Sequence, residues 1–190
     1  MHRSWNLQSK IDASSLRFGV PEHVKPIRGK VLKFVEDEVY PLERRLLELS
    51  QGGDDFVATG RADIARLQQR AKDQGLWALG HPVEIGGQGM PFMDYVYINE
   101  VIGRSEHGWK IFGTLSLQDS IMLNNYASER WRQEFLQPMV NGDIFPSFAM
   151  TEPDIASSDP TQLQTTAVLD DGHWIINGRK WFTSGADEAA

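Results

Sequence analysis

Three short stretches toward the end of this 190-residue chain carry side chains suited to holding a flat ring with heteroatoms along its rim. In Phe148-Ala149-Met150-Thr151, an extended backbone puts Phe148 and Met150 on one face. An aromatic, a thioether and a hydroxyl in a row can receive a planar heterocycle whose edge needs hydrogen bonds. Ser157-Ser158-Asp159 follows in a loop, where small hydroxyl residues and backbone N–H groups can face a pyrophosphate. Trp181 and Thr183 again share a face by the period of two. There an indole can stack on a ring while a hydroxyl bonds one of its nitrogens. Each stretch alone has an ordinary reading as well: a strand end before Pro153, a turn at Asp159-Pro160, and a Trp that anchors a hairpin.

Positioning these stretches falls to the elements before and around them. Residues 1–20 show no sustained period and read as a lead segment. After Pro21 and Pro26, Val31, Val35 and Val39 recur every fourth residue, which is one apolar helix face, and Pro41 is expected to stop it. Gln51-Gly52-Gly53-Asp54-Asp55 reads as a loop. A second helix is expected over about residues 61–74, striped by Ile64, Leu67 and Ala71 and ended by Gly75. A turn-rich segment over 80–91 precedes a third helix over about 93–104. A fourth spans about 109–126, with Ile111, Leu115, Met122 and Tyr126 on one side. Ser128 caps a fifth, carrying Trp131, Phe135 and Met139; Pro138 should kink or end it, and Asn141-Gly142-Asp143 closes it.

After Asp143 the apolar period changes to that of strands, at 144–150, 165–169, 174–176 and 180–183. Asp170-Asp171-Gly172 reads as one turn, and Asn177-Gly178 is the stronger hairpin signal. The expected fold is therefore α+β. An all-helical domain of about five helices covers 21–143, and the first part of an antiparallel β domain covers 144–190. So small a sheet with an uncovered edge invites aggregation: the helical domain covers it, a partner covers it, or the β domain is truncated, and truncation is the expectation.

Taken together, Thr151-Glu152-Pro153, the Ser158-Asp159 pair and Asn177-Gly178-Arg179-Lys180-Trp181-Phe182-Thr183 resemble the flavin-binding signature of the acyl-CoA dehydrogenase family. The likeness extends upstream to 82–89 and to Glu100-Val101-Ile102-Gly103-Arg104, and covers about residues 22–187. The Ala156-Ser157-Ser158-Asp159 form is closest to the branch of acyl-CoA dehydrogenases 10 and 11. The resemblance implies FAD as cofactor and an acyl-CoA thioester as substrate, dehydrogenated at its α,β carbons to a 2,3-enoyl-CoA with hydride passing to the flavin. It also implies electron-transfer flavoprotein as acceptor and a homo-oligomer at full length. Phe148, Met150 and Thr151 would contact the isoalloxazine, Thr151 on its pyrimidine side. Ser158 would bond the pyrophosphate and lie near the pantetheine of the substrate. Trp181 would pack against the flavin, and Thr183 would bond the nitrogen that receives hydride.

The departures matter too. The loop after Thr-Glu-Pro is one residue longer than the common form, so Ser157 is an alternative to Ser158. Phe182 and Ser184 stand where Ile and Asn are usual, which leaves the substrate class open. The resemblance implies a C-terminal helical domain, here absent, and a catalytic base from a helix that nothing here matches, so these residues alone are expected to lack catalysis. Two alternatives remain: a flavin oxidase or monooxygenase of the same fold, and a non-catalytic helical module that only binds partners.

Composition narrows the field. The formal net charge of −7 argues against a general nucleic-acid binder or docking on anionic lipid. The absence of cysteine excludes disulfides, thiolate metal sites and a thiol nucleophile, and fits a reducing compartment. No apolar run reaches the length of a membrane helix, about 18 residues. The expected location is the cytoplasm, or mitochondria or peroxisomes in a eukaryote. Arg3 and Lys10 in an acid-free start read as a weak transit signal or as a disordered lead. The five histidines are scattered without ligand spacing, so no metal site is expected. Gly86-Gly87-Gln88-Gly89 lacks the strand and spacing of a dinucleotide fingerprint and reads as a turn.

Overall fold

The computed structural model describes residues 19–50, 55–187 and 189. The lead segment and most of the Gly/Asp loop at 51–55 lie outside the described residues. Helix α1 (Lys25–Phe34) runs through a π turn (Val35–Val39) into α2 (Tyr40–Ser50). Val31, Val35 and Val39 are all fully buried, as their spacing requires. Pro41 does not stop this helix, contrary to expectation. The Tyr40 N–H reaches back five residues to the Val35 carbonyl, and this wider turn accommodates the ring that would otherwise strike the preceding turn. The same device recurs at Pro138. There α7 (Glu129–Trp131), a π turn (Arg132–Leu136) and α8 (Gln137–Asn141) form one continuous rod. Ser128 caps it by accepting the Trp131 N–H, and Gly142 at φ 80° ends it.

Helix α3 (Asp55–Asp73) begins earlier than its apolar stripe suggested, and α4 (Phe92–Ile102) matches its prediction closely. The helix expected over 109–126 is broken into α5 (Gly108–Ile111), a 3-10 turn (Thr114–Ser116) and α6 (Leu117–Tyr126). Gly113 makes the break at φ 75°, with its absent Cβ only 3.0 Å from the Trp77 ring. Consequently Met122 and Tyr126 are exposed, while Ile111 is buried. The core gathers Val31, Phe34, Val35 and Val39 against Leu67 of α3, Ile98 and Val101 of α4, and Ile111 and Phe112. Phe34 and Phe112 meet edge to face, centroids 5.4 Å apart. Each such side chain contributes roughly 1.5–3 kcal/mol by leaving water.

The β portion differs more from its sequence reading. Strands β1 (Thr166–Asp170) and β2 (His173–Asn177) pair antiparallel, with Thr166 opposite Asn177 and Asp170 opposite His173. Asp171 and Gly172 turn the chain at φ 44° and 79°, both positive as a tight primed turn demands. Asn177-Gly178 is therefore not a hairpin turn: it ends β2, and Gly178 packs where a Cβ would strike Thr165 Oγ1 at 2.1 Å. Residues 144–150 and 180–183, read as strands from the sequence, join no ladder. Residues 180–184 instead pass antiparallel to 147–151, linked by Trp181 N–H to Thr151 O (3.1 Å) and Ser147 Oγ to Ser184 O (2.8 Å). The hairpin presents Leu169, Trp174 and Ile176 on one face and Val168 and Ile175 on the other, all exposed.

Candidate functional site

Segments 147–152 and 180–184 hold most of the candidate residues. The Thr151–Trp181 backbone bond sets them side by side. Lys180 reinforces it, its Nζ donating to Met150 O at 2.9 Å and to Glu152 Oε1 at 2.8 Å. Glu152, only 5% exposed, also accepts the backbone N–H of Gln164 (2.7 Å) and of Thr165 (2.9 Å). The Lys180 ammonium, with help from Thr165 and the Gln164 N–H, holds the Glu152 carboxyl down at about 2. One carboxylate thus ties the Thr-Glu-Pro turn to the start of β1 and to the last signature segment. Sequence reasoning assigned no role to Glu152 or Lys180. Their opposite charges, each beside an apolar stretch, were the available signal.

The loop after Glu152 separates its two serines. Ser157 is buried, and its Oγ accepts the Glu152 N–H (2.7 Å) and donates to the Glu152 carbonyl (3.2 Å). Ser158 is exposed. Asp159 opens a 3-10 turn (Pro160–Gln162), accepting the Thr161 N–H at 3.0 Å and the Thr161 hydroxyl at 2.6 Å. These bonds keep its carboxyl below the usual range.

Phe148, Met150 and Trp181 are exposed, and Thr151 and Thr183 are half-buried. The alternation expected for Trp181 and Thr183 is interrupted, because Phe182 between them adopts φ 51°. This left-handed residue lets the Trp181 and Phe182 rings lie 4.7 Å apart at 42°, a contact unavailable to neighbours on opposite faces of a strand. Open aromatic and thioether surface beside half-buried hydroxyls, with an exposed loop serine nearby in sequence, is a donor set that fits a flat heterocycle with a phosphate tail.

A groove of about 510 Å³ crosses the helical portion, lined by Gly80, Met90, Tyr95, Thr114, Leu117 and Ile121 among others. Within it Tyr95 Oη and Thr114 Oγ1 form a part-buried hydrogen bond of 2.7 Å. Burial pushes the Tyr95 hydroxyl up. Leu115 lines both this groove and a cavity of about 440 Å³ closed by Phe145, Ser184 and Gly185. Leu115 thus lies between the groove of the helical portion and Ser184, the neighbour of Thr183.

Residues 21–143 match the family model for the acyl-CoA dehydrogenase N-terminal domain, and residues 147–190 that for the acyl-CoA dehydrogenase middle domain. The chain belongs to the acyl-CoA dehydrogenase family. Its members include acyl-CoA dehydrogenase family member 10 of Mus musculus, 33% identical over 174 residues that make up 88% of this chain and 16% of that protein. Family member 11 of Mus musculus is 33% identical over 179 residues, 92% of this chain and 23% of that protein. The structure of a putative acyl-CoA dehydrogenase from Mycobacterium abscessus superposes with a TM-score of 0.79 at 32% identity, covering 88% of this chain and 44% of that one. This acyl-CoA dehydrogenase chain thus spans less than a quarter of those two curated relatives and under half of the solved one.

Proposed function

We propose that these residues form the flavin-binding half of an FAD-dependent acyl-CoA dehydrogenase. The observation that carries this reading is the Thr151–Trp181 backbone pairing at 3.1 Å, which sets the two signature segments side by side. FAD, when bound, supplies a two-electron hydride acceptor. Phe148, Met150 and Trp181 offer open surface to its ring, Thr151 a hydroxyl to the pyrimidine side, and Thr183 one to the nitrogen that receives hydride. Ser158, exposed, takes the pyrophosphate and lies near the pantetheine, while Ser157 holds the loop that presents it. The groove past Tyr95 and Leu115 takes the acyl chain.

Removing the α proton of a thioester needs a base within reach of it. None of the residues named here is placed in that role, and the relatives are several times longer than this chain. We assign the base to a longer polypeptide, with electron-transfer flavoprotein as acceptor and a homo-oligomeric assembly. The location is the cytoplasm, or mitochondria or peroxisomes in a eukaryote. An FAD titration followed by flavin fluorescence tests the reading, with Trp181→Ala and Thr183→Val alongside. Saturable binding weakened by both changes is the expected result. A folded chain without flavin affinity favours the partner-binding module instead. Fast reaction of reduced bound flavin with oxygen favours an oxidase or monooxygenase.

A further inference from the structure

We propose that Glu152 and Lys180 are positioning residues for the flavin site, holding its two segments in register through one shielded ion pair. The assignment rests on the flavin reading above. Its ground is what the pair touches. Lys180 Nζ bridges Met150 O (2.9 Å) and Glu152 Oε1 (2.8 Å), and these flank Thr151, whose carbonyl receives the Trp181 N–H. Met150, Thr151 and Trp181 are three of the candidate flavin contacts. Little else fixes them, because 180–183 joins no ladder and Phe182 at φ 51° breaks the extended run.

The pair is also suited to the task electrostatically. The Glu152 and Lys180 side chains are 5% and 22% exposed, so solvent screens their attraction little. The Glu152 carboxylate is further anchored by two backbone N–H groups at the start of the hairpin. A neutral residue at either position leaves the other charge shielded and unpaired, which costs more than the loss of a surface pair. With Lys180 replaced, the register of the segments rests on the Thr151–Trp181 bond, the exposed Ser147–Ser184 bond and the exposed Arg179–Asp154 ion pair.

The test uses the 190-residue chain with Lys180→Met, Lys180→Arg, Glu152→Gln and the Glu152→Gln/Lys180→Met double variant. FAD affinity, visible circular dichroism of bound flavin, exchange of the Trp181 amide without flavin, and the unfolding midpoint of the helices are measured for each. Lys180→Met and Glu152→Gln are expected to weaken FAD binding by about tenfold or more, and the double variant by no more than the worse single change. Lys180→Arg, which keeps the charge, should restore affinity to within about threefold. The Trp181 amide should exchange faster in Lys180→Met while the helical midpoint stays put. Lys180→Met binding FAD as tightly as the parent overturns this proposal and leaves the flavin reading standing. Equal loss in Lys180→Met and Lys180→Arg overturns it too. A parent chain without FAD affinity overturns the flavin reading and this role with it, even where Trp181 exchange shows that the pair joins the segments.

Discussion

Acidification should destabilise this protein through the buried imidazole of His81. His81 is 1% exposed, and its Nε2 lies 3.1 Å from Ser116 Oγ. That hydroxyl is itself placed to donate to the Gly113 carbonyl at 3.3 Å, so the neutral ring acts as donor through Nε2. Burial lowers the imidazole from 6.5 to about 4, against a smaller raising effect of the Ser116 backbone. The sign follows. The folded state holds fewer protons than the unfolded chain between those two values, so the contribution is complete above about pH 6.5 and is lost as pH falls toward 4. Going from about pH 7.5 to about pH 4.5 should remove about 2.5 kcal/mol, or ~5–10 °C in Tm for a chain of this size. Urea unfolding at those two pH values, on the parent and on His81→Gln, is the assay. The variant keeps an N–H donor for Ser116 but cannot titrate. Asp119, whose carboxyl burial raises, works in the opposite direction and cancels in the comparison. Parent and variant losing equal stability on acidification would refute the argument, because no buried neutral imidazole would then be involved.

Three further outcomes are expected. Gly142→Ala should cost roughly 2 kcal/mol or more, since the site has φ 80° and the new Cβ would meet the Trp77 ring at 2.6 Å. Loss of the Trp77 Nε1 bond to Val140 O, 2.9 Å in the parent, would accompany it and show in tryptophan fluorescence. Ile98→Ala, at a fully buried position of α4, should cost about 2–5 kcal/mol by urea unfolding, more than any exposed apolar truncation on the hairpin. The Glu152 side-chain carboxyl carbon, followed by NMR, should titrate near 2 in the parent and higher in Lys180→Met. Its stabilising effect is accordingly complete above the ordinary 4.5 and lost as pH falls through about 2.

The helical portion was largely legible because its signals are local. Four-residue spacing placed Val31, Val35 and Val39 in the core, and Ser128 announced a cap that the structure shows. The misreadings came from contacts distant in sequence or from backbone adjustments without a sequence mark. Pro41 read as a stop because a π turn upstream has no compositional signature. The break at Gly113 depends on the Trp77 ring, which no window around Gly113 contains. Both Asp171-Gly172 and Asn177-Gly178 are sound turn signals, and the choice between them depends on Thr165 packing against Gly178. In the candidate site the residue types were legible. The division of work between Ser157 and Ser158 was not, because it depends on which hydroxyl folds back onto Glu152.

The two portions of the chain are stabilised by different means, and this bears on the site. The helical portion buries a contiguous set of large apolar side chains. The hairpin leaves Val168, Leu169, Trp174, Ile175 and Ile176 exposed on both faces. A two-stranded hairpin with no covered face is marginal in water, so apolar burial within this chain does little to hold the segments beside it. What holds Met150, Thr151 and Trp181 is polar: a carboxylate with two backbone donors and one lysine, and a single backbone bond between the segments. Polar contacts of this kind fix geometry well but contribute little net stability. Opening of residues 147–184 should therefore occur at lower free energy than opening of the helices, so amides there should exchange before those of α1 and α4. A flavin that binds only the closed form would raise that local stability by RT ln(1 + [L]/Kd). Protection of the Gln164, Thr165 and Trp181 amides should then rise with FAD concentration while that of the helices stays constant.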